Sequence, residues 1–247
     1  MVTWTADDTF SLDGTTFVCR PVARRFRSSA DEFCLLKAPW EVDWYEQFLA
    51  ANAPRRIFEI GTHEGASAAL FAALARPERL VTVDLRPEPA SALEEFARRR
   101  GLDDVIRAYG AVDQSDVARL AEIADENFGS SPLDLVVDDG SHLVEPTRAA
   151  FNCLFPRLAP GCAYVIEDWS WAHSGLGDLD GWADRRPLTA FVFELVLATA
   201  SAPAVVKGLH IGKNYVVVER GTEHLDPESF DVTSCYGPRG ASLLAEG

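Results

Sequence analysis

The chain has 247 residues, 47% of them hydrophobic and 25% charged, with a formal net charge of −15; it is long enough to bury a full core, and its charge argues against nucleic acid or a membrane surface as partner. Five scattered cysteines (Cys19, Cys34, Cys153, Cys162 and Cys235) form no C-x-x-C pair, which argues against a disulfide framework or a zinc site and fits a reducing compartment. No apolar run reaches the ~20 residues of a membrane span, and residues 1–8 show neither a basic nor an apolar leader region, so a cytoplasmic location is expected.

Residues 1–36 alternate polar and apolar around Phe10, Leu12, Phe17 and Val18 and carry the basic patch Arg24-Arg25-Phe26-Arg27; they read as a short hairpin or irregular arm. A helix is predicted from Pro39, with Trp40, Trp44, Phe48 and Leu49 at helical spacing and Ala53-Pro54 closing it. Strand and helix then alternate. Strands are predicted at 56–60, 80–84, 105–109, 133–138 and 163–167, and helices at 65–74, 89–100, 115–127 and 145–154. The basic run Arg98-Arg99-Arg100 closes one of these helices, where it offsets the dipole. Repeated βα units imply an α/β fold, doubly wound around a mostly parallel sheet with helices on both faces.

Residues 169–187 break the rhythm with Trp169, Trp171, Trp182 and His173 among glycines and the acidic Asp178, Asp180 and Asp184, a composition that suits a loop over a site. An apolar helix at 188–200 and strands at 204–206 and 215–219 follow, with a turn between the strands. Residues 221–247 read as a loosely packed tail. The expected organisation is therefore an arm (1–36), one domain (37–220) and a tail (221–247).

After the first strand of the alternating series comes Glu59-Ile60-Gly61-Thr62-His63-Glu64-Gly65-Ala66-Ser67. The two glycines permit a sharp turn with close backbone approach to a ligand. This is neither the G-x-G-x-x-G of a dinucleotide fold nor a phosphate loop. Glu59 suits an ammonium better than a pyrophosphate, which fits S-adenosylmethionine, and Asp84, about 20 residues on, is placed to accept ribose hydroxyls. Thr62 and Ser67 are candidates for the cofactor carboxylate.

Two later strands end in carboxylates: Val136-Val137-Asp138-Asp139-Gly140-Ser141-His142 and Val165-Ile166-Glu167-Asp168-Trp169. Ligands in open α/β sheets bind beyond the carboxyl ends of the strands. If these strands are neighbours, Asp139, Glu167 and Asp168 provide hard oxygen ligands for Mg²⁺, Ca²⁺ or Mn²⁺, with His142 beside them as a base. Glu167 and Asp168 are consecutive, so both reach one ion only if the chain leaves the strand between them.

The series Glu59-Ile60-Gly61-x-x-x-Gly65, Asp84, Asp138-Asp139-Gly140 and Glu167-Asp168 resembles the class I S-adenosylmethionine-dependent methyltransferases. More narrowly, Asp139-Gly140-Ser141-His142 with Ile166-Glu167-Asp168 resembles the metal-dependent sugar O-methyltransferases of the macrocin and mycinamicin type, over about residues 36–220. The resemblance implies a seven-stranded sheet whose last strand runs antiparallel, with Tyr215 to Glu219 a candidate for one of the final pair. Glu59, Gly61 and Gly65 would surround the methionine part of the cofactor and Asp84 the ribose. The loop Asp113-Gln114-Ser115-Asp116 would lie near the adenine, so Gln114 and Ser115 are cofactor candidates, although Val112 stands where a glycine is usual. Asp139, Glu167 and Asp168 would ligate Mg²⁺, and His142 would be the catalytic base.

The implied reaction is Mg²⁺-assisted O-methylation of a small hydroxylated acceptor, with a vicinal diol of a sugar in a natural product or nucleotide sugar as the leading class. A catechol-type or amine acceptor would use the same fold. Outside methyl transfer, a metal-dependent hydrolase and a non-catalytic nucleoside-binding scaffold stand as alternatives. The arm and tail leave room for a homo-oligomer.

Overall fold

A computed structural model describes residues 2–20, 27–173 and 185–245. Trp182, Asp178, Asp180 and Asp184 of the expected loop, and Arg24-Arg25-Phe26 of the arm, lie outside the described residues. Eleven strands among them form two sheets, β1 to β4 in that order and a seven-stranded sheet ordered β10-β11-β9-β8-β5-β6-β7. The chain divides into two compact units, Met1–Val112 and Asp113–Gly247.

The first unit opens with β1 (Thr3–Ala6), β2 (Thr9–Leu12), β3 (Thr15–Cys19) and β4 (Glu32–Leu35), so the arm is a four-stranded sheet. Trp4, Phe10, Phe17 and Phe33 are directly opposite one another across successive strands. Their rings form a file with centroids 5.0, 5.0 and 5.7 Å apart. Such pairs stabilise a sheet by roughly 0.5–1.5 kcal/mol each beyond the area they bury. Phe96 of α3 (Ser91–Arg100) closes the file edge-on at 5.6 Å.

Helix α1 (Pro39–Asn52) starts with proline at its first position, and the Glu41 carboxylate accepts the Ala38 N–H at 2.7 Å; both devices suit a helix N-terminus. It ends at Ala53, whose left-handed backbone precedes Pro54. Its buried stripe is Val42, Tyr45 and Leu49 rather than the tryptophan face expected from spacing. Trp44 and Phe48 instead stack on each other at 4.9 Å on its flank. The parallel strands β5 (Arg56–Ile60), β6 (Arg79–Val83) and β7 (Ile106–Tyr109) follow. Consecutive residues of β5 and β6 are buried on both faces, as in a covered parallel sheet. Between them, α2 (Ala66–Ala75) is alanine-rich and buried over most of its surface.

The second unit contains α4 (Val117–Phe128), β8 (Leu133–Asp138), α5 (Val144–Leu154), β9 (Leu158–Glu167), α6 (Thr189–Ser201), β10 (Val206–Ile211), β11 (Tyr215–Arg220) and α7 (Pro238–Ala245). β8 and β9 are parallel, while β11 runs antiparallel to both β9 and β10. β10 starts two residues later than the expected strand and runs five residues further, to Ile211, which shortens the turn to residues 212–214.

Phe151 of α5 lies among Phe155, Tyr164, Phe191 and Phe230 at 4.4–6.5 Å. Val232 is fully buried, and its N–H donates to Asn152 Oδ1 at 3.0 Å. The stretch around Phe230 and Val232 is therefore docked on α5, not loose as its turn-rich composition suggested; two apolar anchors are enough. No helix among the described residues is long and apolar enough to cross a membrane.

Candidate active site

In the first unit, the turn after β5 is built around a buried polar file. Glu59 is fully buried, and its Oε2 accepts the Thr82 hydroxyl at 2.6 Å; Thr82 Oγ1 is 2.5 Å from Thr62 Oγ1. Thr62 thus braces the turn from inside. Gly61 and Thr62 donate their N–H groups to Val83 O, and Gly65 donates to Thr62 O. Gly65 has φ +84°, and a Cβ there would meet Leu93 Cβ at 2.5 Å, so both the backbone and α3 require glycine.

Asp84 lies just beyond β6. Its Oδ2 accepts the His63 N–H at 2.6 Å, and its Oδ1 accepts the Arg86 N–H at 2.8 Å with the Arg86 Nε at 3.3 Å. These bonds fix the carboxylate in place. Ser67 is buried in the first turn of α2.

In the second unit, Gln114 and Ser115 do not share one environment. Gln114 is buried; its Nε2 donates to Asp138 Oδ1 at 2.6 Å, and its Oε1 accepts the Ser141 N–H at 2.9 Å. Its amide therefore ties the end of β8 to the following loop. Ser115 is exposed and donates both its hydroxyl and its N–H to Asp113, whose pKa these bonds lower.

Asp138 is the hidden half of the Asp138-Asp139 pair. It is 2% exposed, and its carboxyl also receives the Tyr164 hydroxyl at 2.8 Å and the Gly140 N–H at 3.3 Å. Burial pushes its pKa up to about 7, against the pull of those hydrogen bonds. Strand alternation turns Asp138 inward, and the chain then turns so that Asp139 faces out.

Asp139, His142 and Asp168 converge: each offers a ligand atom, all within 4.8 Å of one another. His142 Nε2 lies 3.9 Å from Asp139 Oδ1 and 3.9 Å from Asp168 Oδ2. His142 and Asp168 both have left-handed backbones, φ +55° and +56°, a conformation uncommon outside glycine that Asp and His adopt more readily than most residues. The Trp171 ring lies 4.4 Å from the His142 ring.

Asp168 is further held by Asn214. The Asp168 N–H donates to Asn214 O at 2.7 Å, Asn214 Nδ2 donates to Asp168 Oδ1, and the Ser170 hydroxyl donates to Asn214 Oδ1. The chain does leave the strand between Glu167 and Asp168, as a shared ion would require. Glu167, however, is buried at the end of β9 and is not part of the trio. Asn214, Tyr164 and the bracing role of Gln114 were not read from sequence; the signal for Asn214 was only its place in a tight turn. Of the remaining histidines, His173 bonds the Thr189 hydroxyl at 2.5 Å and lies edge-on to Trp169.

A carboxylate pair suits a hard divalent cation, and an imidazole as third donor extends the range toward manganese and zinc. The family model described as a methyltransferase domain matches residues 58–169, which span both carboxylate-bearing strand ends. This stretch is a methyltransferase domain.

The chain is 35% identical over 152 residues to demethylmacrocin O-methyltransferase of Streptomyces fradiae, covering 53% of this chain and 38% of that protein. It is 35% identical over 127 residues to mycinamicin VI 2''-O-methyltransferase of Micromonospora griseorubida, covering 44% and 30%. The crystal structure of the MycE methyltransferase of the mycinamycin biosynthetic pathway, in complex with Mg and SAH, superposes with a TM-score of 0.57 at 25% identity over 76% of this chain and 51% of that one. The chain thus spans about half or less of the length of these relatives.

Proposed function

We propose that the chain transfers a methyl group from S-adenosylmethionine to a hydroxyl of a sugar borne by a natural product, with magnesium holding the acceptor and His142 taking its proton. The observation that carries this reading is the convergence of Asp139, His142 and Asp168. Its support from outside the site is the likeness to demethylmacrocin O-methyltransferase, to mycinamicin VI 2''-O-methyltransferase and to a methyltransferase crystallised with Mg and SAH.

The donor atoms fit the metal: two carboxylates meet at the ends of neighbouring parallel strands, where a single cation would offset their mutual repulsion, with the His142 imidazole beside them as the base. Asp139 and Asp168 would hold the ion. When bound, magnesium would supply charge that fixes a pair of neighbouring hydroxyls and makes the reacting one more acidic. Glu59, Gly61 and Gly65 would shape the place of the methionine part, Asp84 would accept the ribose hydroxyls, and Ser67 would serve the cofactor carboxylate. Thr62 and Gln114 act from behind, since their side chains are committed to Thr82 and to Asp138 and Ser141.

His142 Nε2 receives the proton of the acceptor hydroxyl as its oxygen attacks the methyl carbon; the bond from carbon to sulfur breaks, and its electron pair stays on sulfur. The flanking carboxylates of Asp139 and Asp168 balance the positive imidazolium so formed. The Trp171 ring packs against the imidazole, tilted, at 4.4 Å. Trp169 donates its indole N–H to Gly212 O at 3.0 Å, which anchors the start of the aromatic segment to the turn that carries Asn214.

The test is methyl transfer from labelled S-adenosylmethionine to glycosylated macrolides, other glycosylated natural products and nucleotide sugars, with and without EDTA. Labelled methyl on a sugar oxygen, abolished by EDTA and restored by magnesium, is the expected result. Turnover unaffected by EDTA would remove the metal from the reaction, and transfer only to amines would overturn the assignment of the acceptor.

A further inference from the structure

The second unit has another cleft, at the strand ends opposite those that carry Asp139 and Asp168. It encloses about 400 Å³ and is lined by Leu133 and Leu158, the first residues of β8 and β9, and by Arg220, the last residue of the antiparallel β11. A strand of six residues spans roughly 20 Å, so a molecule bound here is remote from the proposed chemistry. Exposed Ser131, Thr222 and His224 form part of the rim.

Arg220 is 3% exposed. Its Nη1 donates to Gly221 O at 2.8 Å, its Nη2 donates to Glu223 O, and its guanidinium lies 5.7 Å from the Phe155 ring centre. Its Nε has no hydrogen-bond partner. No carboxylate lies within ion-pairing distance of it among the described residues. The other arginine of the cleft, Arg157, is paired with Asp125 at 2.6 Å. The charged side chains left at the cleft are exposed Glu223, which acts on Arg220 only through its field, and His224 on the rim.

A buried cation without a counter-charge is costly unless something else compensates it. The planar guanidinium fork matches carboxylates and phosphates, to which it can donate two parallel hydrogen bonds. The fork is also set in place. Gly221 donates its N–H to Val205 O and Glu223 donates to Ala204 O, which fixes both carbonyls that hold the guanidinium. A Cβ on Gly221 would meet Ala204 O at 2.0 Å, so this turn tolerates only glycine. Apolar lining residues, a prearranged arginine among them and exposed hydroxyls are the features of a small-molecule site, and the volume falls in the usual range.

We propose that this cleft binds a compact anion, a phosphate or carboxylate group of a small molecule, on Arg220. It is a second ligand site, separate from the methyl-transfer site.

The experiment titrates the intact chain with inorganic phosphate and, separately, with malonate. Thermal unfolding and the Arg220 Nε–H resonance are followed, and sodium chloride of equal ionic strength is the control. A saturable shift of the Nε–H resonance is expected with at least one of the two anions, together with a midpoint rise of about 2–4 °C at saturation. A response to phosphate alone identifies a phosphorylated ligand, and a response to malonate alone a carboxylate. R220Q should remain folded by circular dichroism and lose the anion-dependent midpoint rise. If R220Q does not fold, S131W, which fills the mouth and leaves Arg220 in place, must lose it instead. A response equal to that of chloride, or one that persists in R220Q or S131W, overturns the proposal.

Discussion

Asn214 grips Asp168 at two points: its main-chain carbonyl accepts the Asp168 N–H at 2.7 Å, and its side-chain amide donates to Asp168 Oδ1. Partners of this kind orient a ligating carboxylate, and losing one typically lowers metal affinity about 10–100-fold. N214A should therefore weaken magnesium or manganese binding by that factor, with donor affinity unchanged. N214D should be worse, because it sets a carboxylate against Asp168. Calorimetric metal titration of both variants checks this, and wild-type affinity in N214A would show that Asp168 needs no such brace.

The buried Asp138 carboxyl makes stability depend on pH. Its pKa is about 7 in the fold against an ordinary value of 3.8. Between those values the folded chain binds more protons than the unfolded one, so this group's contribution is full below the lower value and is lost as pH rises to the upper one. D138N keeps the shape and removes the titration. The difference in unfolding midpoint between wild type and D138N should then shift against the wild type from about pH 4 to about pH 7 and stay level above. A difference that does not change with pH would mean that Asp138 is already ionised throughout.

Gly65 is required twice, by its φ of +84° and by the contact with Leu93. Overpacking of this kind costs about 1–3 kcal/mol, to which a left-handed alanine adds strain. G65A should lower the urea midpoint accordingly and also weaken donor binding, because the turn after β5 must shift to admit the methyl group. If L93A restores the stability of G65A, the steric cause is confirmed; if it does not, the backbone strain is the larger part.

The alternating βα core was readable because its strands carry short apolar runs bounded by turn chemistry, and several strand ends carry the acidic residues. β8 matches its expected bounds, 133–138, and most other elements agree within about two residues. Asp139, His142 and Asp168 were readable for the same reason. Glu167 shows the limit of sequence, since adjacency put it beside Asp168 while the strand end turned it into the interior. The long-range pairs were not legible: Tyr164 on Asp138 and Asn214 on Asp168 join residues 26 and 46 positions apart. The N-terminal sheet was missed because its strands have four or five residues, and the parallel pair β3 and β4 is separated by residues 20–31. Its organising signal is a file of aromatic rings, which lies across strands and not along them.

Manganese binding followed by electron paramagnetic resonance tests the metal centre most directly. One ion per chain is expected, displaced by magnesium, lost in D139A and D168A, and retained in D84N, which alters only the proposed ribose contact. Equal manganese binding by D139A, D168A and the wild type would contradict the assignment of these carboxylates to one ion.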